Sequence, residues 1–306
     1  MQDLRGNEIL IIYNSVSYFL PEIQKKGYST HRLYQNEGII NRGLRKIFKK
    51  LNFNESPLYG NWFKKLRNYK IIIVFAPVEI DVLKKINTQN PQAKIVYWYW
   101  NPAYRIGRPT PELYELCDIW TFDKQDAKKY NLKYNNTFYF DTVKKKEVNK
   151  NYDLVFVGRN KHRKEKLNNL KIEFEKKSLK ALYYIVPNRN EKNPEKIKEL
   201  SYKEYLKIIS KSKAILDVMP PSQVGLTLRP MESLFLEIKL ITDNIHIKYE
   251  PFYNQQNIFI LGSDDIKGLP IFLNTPYKPT SKLIKNQYDF ESWIKRIISD
   301  TQWNYE

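Results

Sequence analysis

The chain has 306 residues, enough for two cores, and a composition of 42% hydrophobic and 14% aromatic residues excludes disorder by composition. A single cysteine, Cys117, excludes an internal disulfide framework and a cysteine-based metal cluster, and fits a reducing compartment. The formal charge of +19 is strong enough to gather a polyanion, whether an anionic membrane surface, a phosphorylated substrate or nucleic acid. Lysines on solvated helix faces would account for it equally well.

No apolar run approaches the roughly 18 to 20 residues that cross a bilayer. The first residues, with Gln2, Asp3, Arg5, Asn7 and Glu8, lack the basic-then-apolar order of an export signal. A cytoplasmic location is expected.

Short apolar runs separated by amphipathic stretches are the pattern of buried parallel strands alternating with helices. In the first half the expected strands are 9–13, 71–75, 95–100, 119–122 and 137–140, with helices over 43–51, 78–86 and 124–130. A lysine-rich stretch, 144–151, has strong like charge and no apolar periodicity, and reads as the interdomain linker. The rhythm resumes with strands at 153–157, 182–186, 214–218, 240–242 and 258–261 and helices over 164–177, 202–211 and 230–237. An amphipathic closing helix is expected over 290–298. The pattern predicts an α/β chain of two Rossmann-like domains facing a cleft, where ligands bind at the C-terminal strand ends. The expected division is 1–146, 147–288 and a C-terminal helix, 289–306, packing back towards the first domain.

Two segments of the second half carry chemistry. The run Val155-Phe-Val-Gly158 ends a strand and continues through Arg159, Lys161, His162, Arg163 and Lys164. A glycine after a strand permits a tight turn, and the following helix start offers N–H groups to an anion. Cations there oppose the helix dipole, so an anionic ligand explains them better than chance does. Farther on, Leu226-Thr-Leu-Arg-Pro-Met-Glu232 opens a helix: Pro230 suits a first turn, Arg229 stands at the mouth, and Glu232 either accepts ribose hydroxyls or merely caps the helix.

Together, Val157-Gly158…Arg163, residues 210–218, Thr227-Leu-Arg229-Pro-Met-Glu232 and Leu240-Ile-Thr242-Asp243 resemble the donor half of glycosyltransferases of the GT-B fold, in the CgeB-like and family-4-like branches. The resemblance covers about 90 residues. It implies a nucleotide-sugar donor bound by Gly158, Arg159, Lys161, Arg163, Thr227, Arg229 and Glu232, with the diphosphate on Arg159, Arg163 and Arg229 and the ribose on Glu232. The family-4 pattern has two acids four apart on this helix. Here Leu236 stands at that offset and Glu237 one later, whereas the CgeB-like Thr-x-Arg-x-x-Glu fits.

In the first half, Asn101 ends the aromatic strand containing Trp98, Tyr99 and Trp100, and Asn14 and Ser15 open the first loop; these are the expected acceptor-side residues. Asn101 and Arg229 are the expected catalytic pair. Asp123 could act as a base or cap the helix after it. The three histidines, His31, His162 and His246, lack metal-ligand spacing, so neither a metal nor a cofactor is expected. Arg159, Arg163, Arg229 and the helix at Pro230 would stabilise charge on the departing diphosphate. With no compelling base, a retaining reaction is expected. The resemblance further implies a glycan or lipid-linked acceptor in bacterial surface polysaccharide or glycoconjugate synthesis, with peripheral contact to the inner face of the cell membrane. Arg42, Arg45, Lys46, Lys49 and Lys50, with Ile47, Phe48 and Leu51, are the expected docking helix. The alternatives are a single-stranded nucleic-acid-binding protein, for which no recognised motif is present, and a GT-B nucleotide-sugar epimerase.

Overall fold

The computed structural model describes residues 6–13, 19–35, 38–51, 55–188, 191–192, 196–221 and 223–303. The chain divides into two compact units, Met1–Asn135 with Arg296–Glu306, and Asn136–Lys295.

The first unit holds six parallel strands, β1 (Ile9–Tyr13), β2 (Ser29–Arg32), β3 (Ile71–Phe75), β4 (Lys94–Tyr99), β5 (Asp118–Thr121) and β6 (Lys133–Tyr134), in the order β2-β1-β3-β4-β5-β6. Its helices are α1 (Phe19–Lys25), α2 (Ile39–Lys50), α3 (Ile80–Gln89), α4 (Ala103–Ile106), α5 (Pro111–Leu116) and α6 (Lys124–Tyr130), with 3₁₀ segments that include Asn61–Asn68. The central β3, Ile-Ile-Ile-Val-Phe, is buried along its whole length because both sheet faces are covered. On α3, Val82, Leu83 and Ile86 turn the apolar stripe inward. Asp123 caps α6 by accepting from the backbone N–H groups of Gln125 and Asp126, and Asn131, at φ 51°, closes that helix in the left-handed region.

The second unit holds five parallel strands, β7 (Tyr152–Arg159), β8 (Ala181–Val186), β9 (Ser212–Asp217), β10 (Lys239–Thr242) and β11 (Ile258–Ile260), in the order β11-β10-β9-β7-β8. Its helices are α7 (Lys164–Glu175), α8 (Tyr202–Ser210), α9 (Leu228–Leu236), α10 (Leu269–Asn274) and α11 (Lys282–Gln287); α12 (Phe290–Ser299) starts in this unit, while Arg296 onward belongs to the first. The core gathers Leu154, Phe156, Leu167, Phe174, Leu216 and Ile241 between sheet and helices. In both sheets the first strand lies between the second and the third. This is the doubly wound order 2-1-3-4-5 rather than the dinucleotide-binding order 3-2-1-4-5-6.

Three expectations change. Residues 137–140 are not a strand: Tyr139 makes a single bridge to Asp289, and Phe138 and Phe140 pack on Phe290 at 5.3 and 5.5 Å between ring centroids. Burial of aromatic rings, not sheet pairing, explains that apolar run. The short strands β2 and β6 are too polar or too brief to show an apolar pattern. The division falls at Asn135–Asn136, upstream of the lysine-rich stretch, which belongs to the second unit. There Lys150 Nζ donates to the last carbonyl of α8, that of Ser210, at 2.7 Å, and Lys145 Nζ donates to the Glu237 carbonyl after α9 at 3.2 Å. These lysines satisfy helix C-termini.

Ile241→Ala, at a fully buried position of β10, is expected to cost about 2–5 kcal/mol in urea unfolding. Asp300→Ala removes a 2.7 Å pair with Lys133 in which the Asp300 side chain is 48% exposed, and is expected to cost less than about 1 kcal/mol.

Candidate functional site at the end of the second sheet

The chain runs from β7 to β8 on one side and then crosses to β9 on the other, so the ends of β7 and β9 form the switch point of this sheet. In open α/β sheets that crevice is where ligands bind. The sequence delivers Gly158 and Arg159 there from β7, Asp217 from β9, and Thr227 and Arg229 from the start of α9.

Asp217 is fully buried and organises the group. Its Oδ1 accepts from the Thr227 hydroxyl at 2.9 Å and from Arg229 Nη1 at 3.3 Å; its Oδ2 accepts from the Thr242 hydroxyl at 3.3 Å. Burial raises its pKa, and the Arg229 guanidinium opposes that rise. Thr227 caps α9 by accepting from the Arg229 N–H while donating to Asp217, so the cap and the ion pair are one structure. The helix therefore begins at Leu228, with Pro230 inside its first turn.

Arg229 also donates from Nη2 to the Val157 carbonyl at 2.6 Å. Arg163 donates to the Val218 carbonyl, and to the Arg159 carbonyl at 3.1 Å. The two guanidiniums lie 4.9 and 5.0 Å from the centroid of the Phe156 ring, within cation–π reach. Their approach requires glycine at 158: a Cβ there would stand 2.6 Å from Arg229 Nη2 and 3.4 Å from Arg163 Nη2. Both arginines thus hold strand ends together, and Arg163 is only 4% exposed. They do not offer open forks to a diphosphate, as a direct clamp would. Arg159 turns towards β8, donating to the Pro187 carbonyl at 2.9 Å and pairing with Glu199 at 2.5 Å.

The turn after β7 is fixed by Asn160, whose Oδ1 accepts from the Arg163 N–H at 3.2 Å while its Nδ2 donates to Glu191 at 2.8 Å. Lys161 and His162 both stand at positive φ, 46° and 61°, a backbone state that costs non-glycine residues about 1–3 kcal/mol each and that clusters at functional sites. The Lys161 N–H donates to Asn188 Oδ1 at 2.9 Å. No side chain caps the start of α7, where Lys164 and His162 are exposed.

Glu232, expected at a ribose, is 1% exposed. Its Oε1 accepts from the Tyr202 hydroxyl at 3.1 Å and its Oε2 from the Tyr205 hydroxyl, and Tyr202 is in turn bonded to Tyr139. Both oxygens are engaged inside the protein. Burial raises the Glu232 pKa to about 7. Sequence reasoning missed Asp217, Tyr202 and Tyr205. The available signals were an aspartate inside the apolar run Ala-Ile-Leu-Asp-Val-Met and two tyrosines three apart on α8.

Asn101 lies half-buried just beyond β4, in the first unit, whereas Arg229 lies in the second. Trp98 and Tyr99 are core residues, 0% and 2% exposed. Asn14 and Ser15 fall outside the described residues. Among the described residues no group of three or more His, Cys, Asp or Glu is placed to hold a metal ion, and no helix is long and apolar enough to cross a membrane.

Gly158→Ala is expected to displace the Arg229 guanidinium from Val157 and Asp217 and to lower stability by about 1–3 kcal/mol, read by urea unfolding. Glu232 holds its proton more tightly folded than its ordinary value of 4.5 allows unfolded. Its contribution is therefore present below about pH 4.5 and lost as pH rises towards about 7, by ~2–3 kcal/mol. Glu232→Gln should flatten the stability profile over that window; an unchanged slope would exclude Glu232 as its source.

No protein-family model matches the chain, and no curated protein matches it. Among solved structures it is similar to the pneumococcal O-GlcNAc transferase GtfA in complex with UDP and GlcNAc, at 13% identity and a TM-score of 0.30, over 84% of this chain and 53% of that one. The chain thus spans about half the length of that structure. Agreement at this level does not establish a shared fold.

Proposed function

We propose that the crevice at the ends of β7 and β9 binds the diphosphate of a nucleotide sugar, and that the chain is a glycosyltransferase. One observation carries the binding half, the charge balance of the buried group. Arg163 and Arg229 stand beside one fully buried carboxylate, Asp217, while Asp243 is paired with Lys166 and burial raises the Glu232 pKa to about 7. A positive charge is left over at a site shielded from water, where it acts strongly and is costly without a counter-charge. The buried Nε–H of Arg229 has no acceptor among the described residues. The uncapped start of α7 adds N–H groups and exposed cations beside it.

In this reading Arg163 and Arg229 are positioning residues that charge the floor of the site, while the 158–164 turn and α7 meet the phosphates. The transfer half rests on the donor-site resemblance around Gly158 and residues 227–232. Asn101 and the loop after β1 then belong to an acceptor side. The leaving diphosphate would be stabilised by charge already in place, and positioning would supply much of the rest.

Thermal-shift screening with UDP, GDP, CMP and dTDP sugars tests this. A ligand at about 100 times its Kd should stabilise the protein by ~2.7 kcal/mol, and Lys161→Ala with Lys164→Ala should weaken binding about tenfold at an unchanged melting temperature of the free protein. Affinity for the stabilising nucleotide sugar should fall as pH rises past about 7, where Glu232 ionises and cancels the residual charge, and Glu232→Gln should abolish the fall. If no nucleotide sugar raises the melting temperature, the reading is wrong.

A further inference from the structure

An open sheet ends in two edge strands, whose outward N–H and C=O groups are a template for another chain unless something covers them. The edges here are β2 and β6 of the first sheet and β8 and β11 of the second. On three of them the chain itself supplies partners. At β6 the Tyr134 N–H donates to Gln302 Oε1 at 2.8 Å, and the Tyr134 carbonyl accepts from the Trp303 N–H at 3.0 Å. At β11 the Ile258 N–H donates to the Asn254 carbonyl at 2.9 Å and the Ile260 N–H to Asp264 Oδ2 at 2.7 Å. At β2 the Thr30 and Arg32 carbonyls accept from side chains, Gln24 Nε2 at 3.4 Å and Trp62 Nε1 at 3.0 Å.

The fourth edge, β8, is bare. The Lys180 and Val186 carbonyls accept from the Asp153 and Asn160 N–H groups, both at 2.8 Å, so the even-numbered residues face β7. Backbone groups alternate along a strand, and Ala181, Tyr183 and Ile185 therefore turn their N–H and C=O groups away from the sheet. Among the described residues no hydrogen bond reaches any of these six groups. The strand, Ala-Leu-Tyr-Tyr-Ile-Val, carries no charge, and five of its six residues are only half-buried.

We propose that β8 is the dimer edge of this protein, pairing antiparallel with β8 of a second copy about a two-fold axis at Tyr183. The symmetry of the edge selects this occupant. Tyr183 falls opposite its own counterpart and Ala181 opposite Ile185, so the six outward groups of each copy are satisfied by those of the other with none left over. The uncharged side chains set no like charges face to face, and they offer no ion pair by which a charged foreign peptide would be chosen. In this register the two Lys180 residues, just outside the strand, lie roughly 20 Å apart, beyond the screening length of about 10 Å. The pair closes on itself, since it consumes both bare edges. The inference is independent of the nucleotide reading, because its readout is self-association alone.

Sedimentation velocity of the full chain over a concentration series decides it. The protein should pass from monomer to dimer and stop there. Ala181→Pro deletes an outward N–H that the chain's own sheet does not use, and should weaken the dimer about tenfold through two symmetry-related hydrogen bonds. Ala181→Ser keeps the N–H and should leave the dimer unchanged. A second measurement reads the register: Leu182 and Tyr184 stand opposite each other across the pair, at a Cα separation of about 4.5 Å that a disulfide spans. With Cys117→Ser in both chains, an oxidised mixture of Leu182→Cys and Tyr184→Cys chains should cross-link to each other and neither to itself. Unfolding melts of the variants check that the fold is kept. A chain that stays monomeric at every concentration, a dimer that Ala181→Pro leaves intact, or cysteine chains that cross-link to themselves as readily as to each other would overturn the proposal. So would growth beyond the dimer, which would assign the edge to an open-ended assembly.

Discussion

The ion pair between Arg229 and Asp217 is the constraint on which the second unit turns. Asp217 closes β9 inside the core, where an unpaired carboxylate would be untenable. Arg229 reaches it from α9 and reaches the Val157 carbonyl of β7 with its other amino group. One guanidinium therefore ties two parallel strands to the helix that follows them. Thr227 sits on the same carboxylate and starts that helix. Gly158 is needed because the guanidinium lies where a side chain would be. The ends of β7 and β9 are held in register by polar contacts at the place where a doubly wound sheet leaves a crevice.

That arrangement links architecture to chemistry through charge. A second arginine, Arg163, shares the Phe156 ring and is also almost wholly buried. Burial raises the pKa of Glu232, the nearby acid that could cancel the excess, to about 7, against the hydrogen bonds from Tyr205 and Tyr202. Its hydroxyl partners on α8, Tyr202 and Tyr205, extend the network away from the strand ends, Tyr202 being bonded in turn to Tyr139. In the proposed function, the two arginines give that end of the sheet its positive charge. The exposed Lys164 at the mouth of α7 stands beside these largely buried groups.

Buried and exposed cations act in opposite ways. At the second sheet the arginines are buried and fixed, so their charge acts at short range in a low dielectric. On α2, Lys46 and Lys50 are exposed. The charge of exposed lysines is screened by salt. The excess of lysine and arginine in the composition therefore does not have one explanation.

The strand rhythm was legible because buried parallel strands must be apolar on both faces, and runs such as Ile-Ile-Ile-Val-Phe satisfy no other local pattern so well. The segment 227–232 was legible as opening a helix, though the helix starts at Leu228 and not Pro230; Gly158, read as a turn after a strand, lies inside β7, where the approach of the Arg229 guanidinium requires it. What sequence reading could not supply was direction. Arg163 and Arg229 read as ligand clamps, and Glu232 as a ribose acceptor, because residue type says what a side chain can bond but not whether the protein has already taken its bonds. Residues 137–140 read as a strand because burial of aromatic rings and burial of a strand leave the same apolar trace. The lysines of 144–151 read as a linker because their helix-end carbonyl partners, Ser210 and Glu237, come from distant parts of the chain. The sequence by itself determined two α/β sheets and the residues at their ends. Tertiary structure alone decided strand order, which cations are buried, and which carboxylate keeps its proton, because each depends on groups brought together from far apart in the chain.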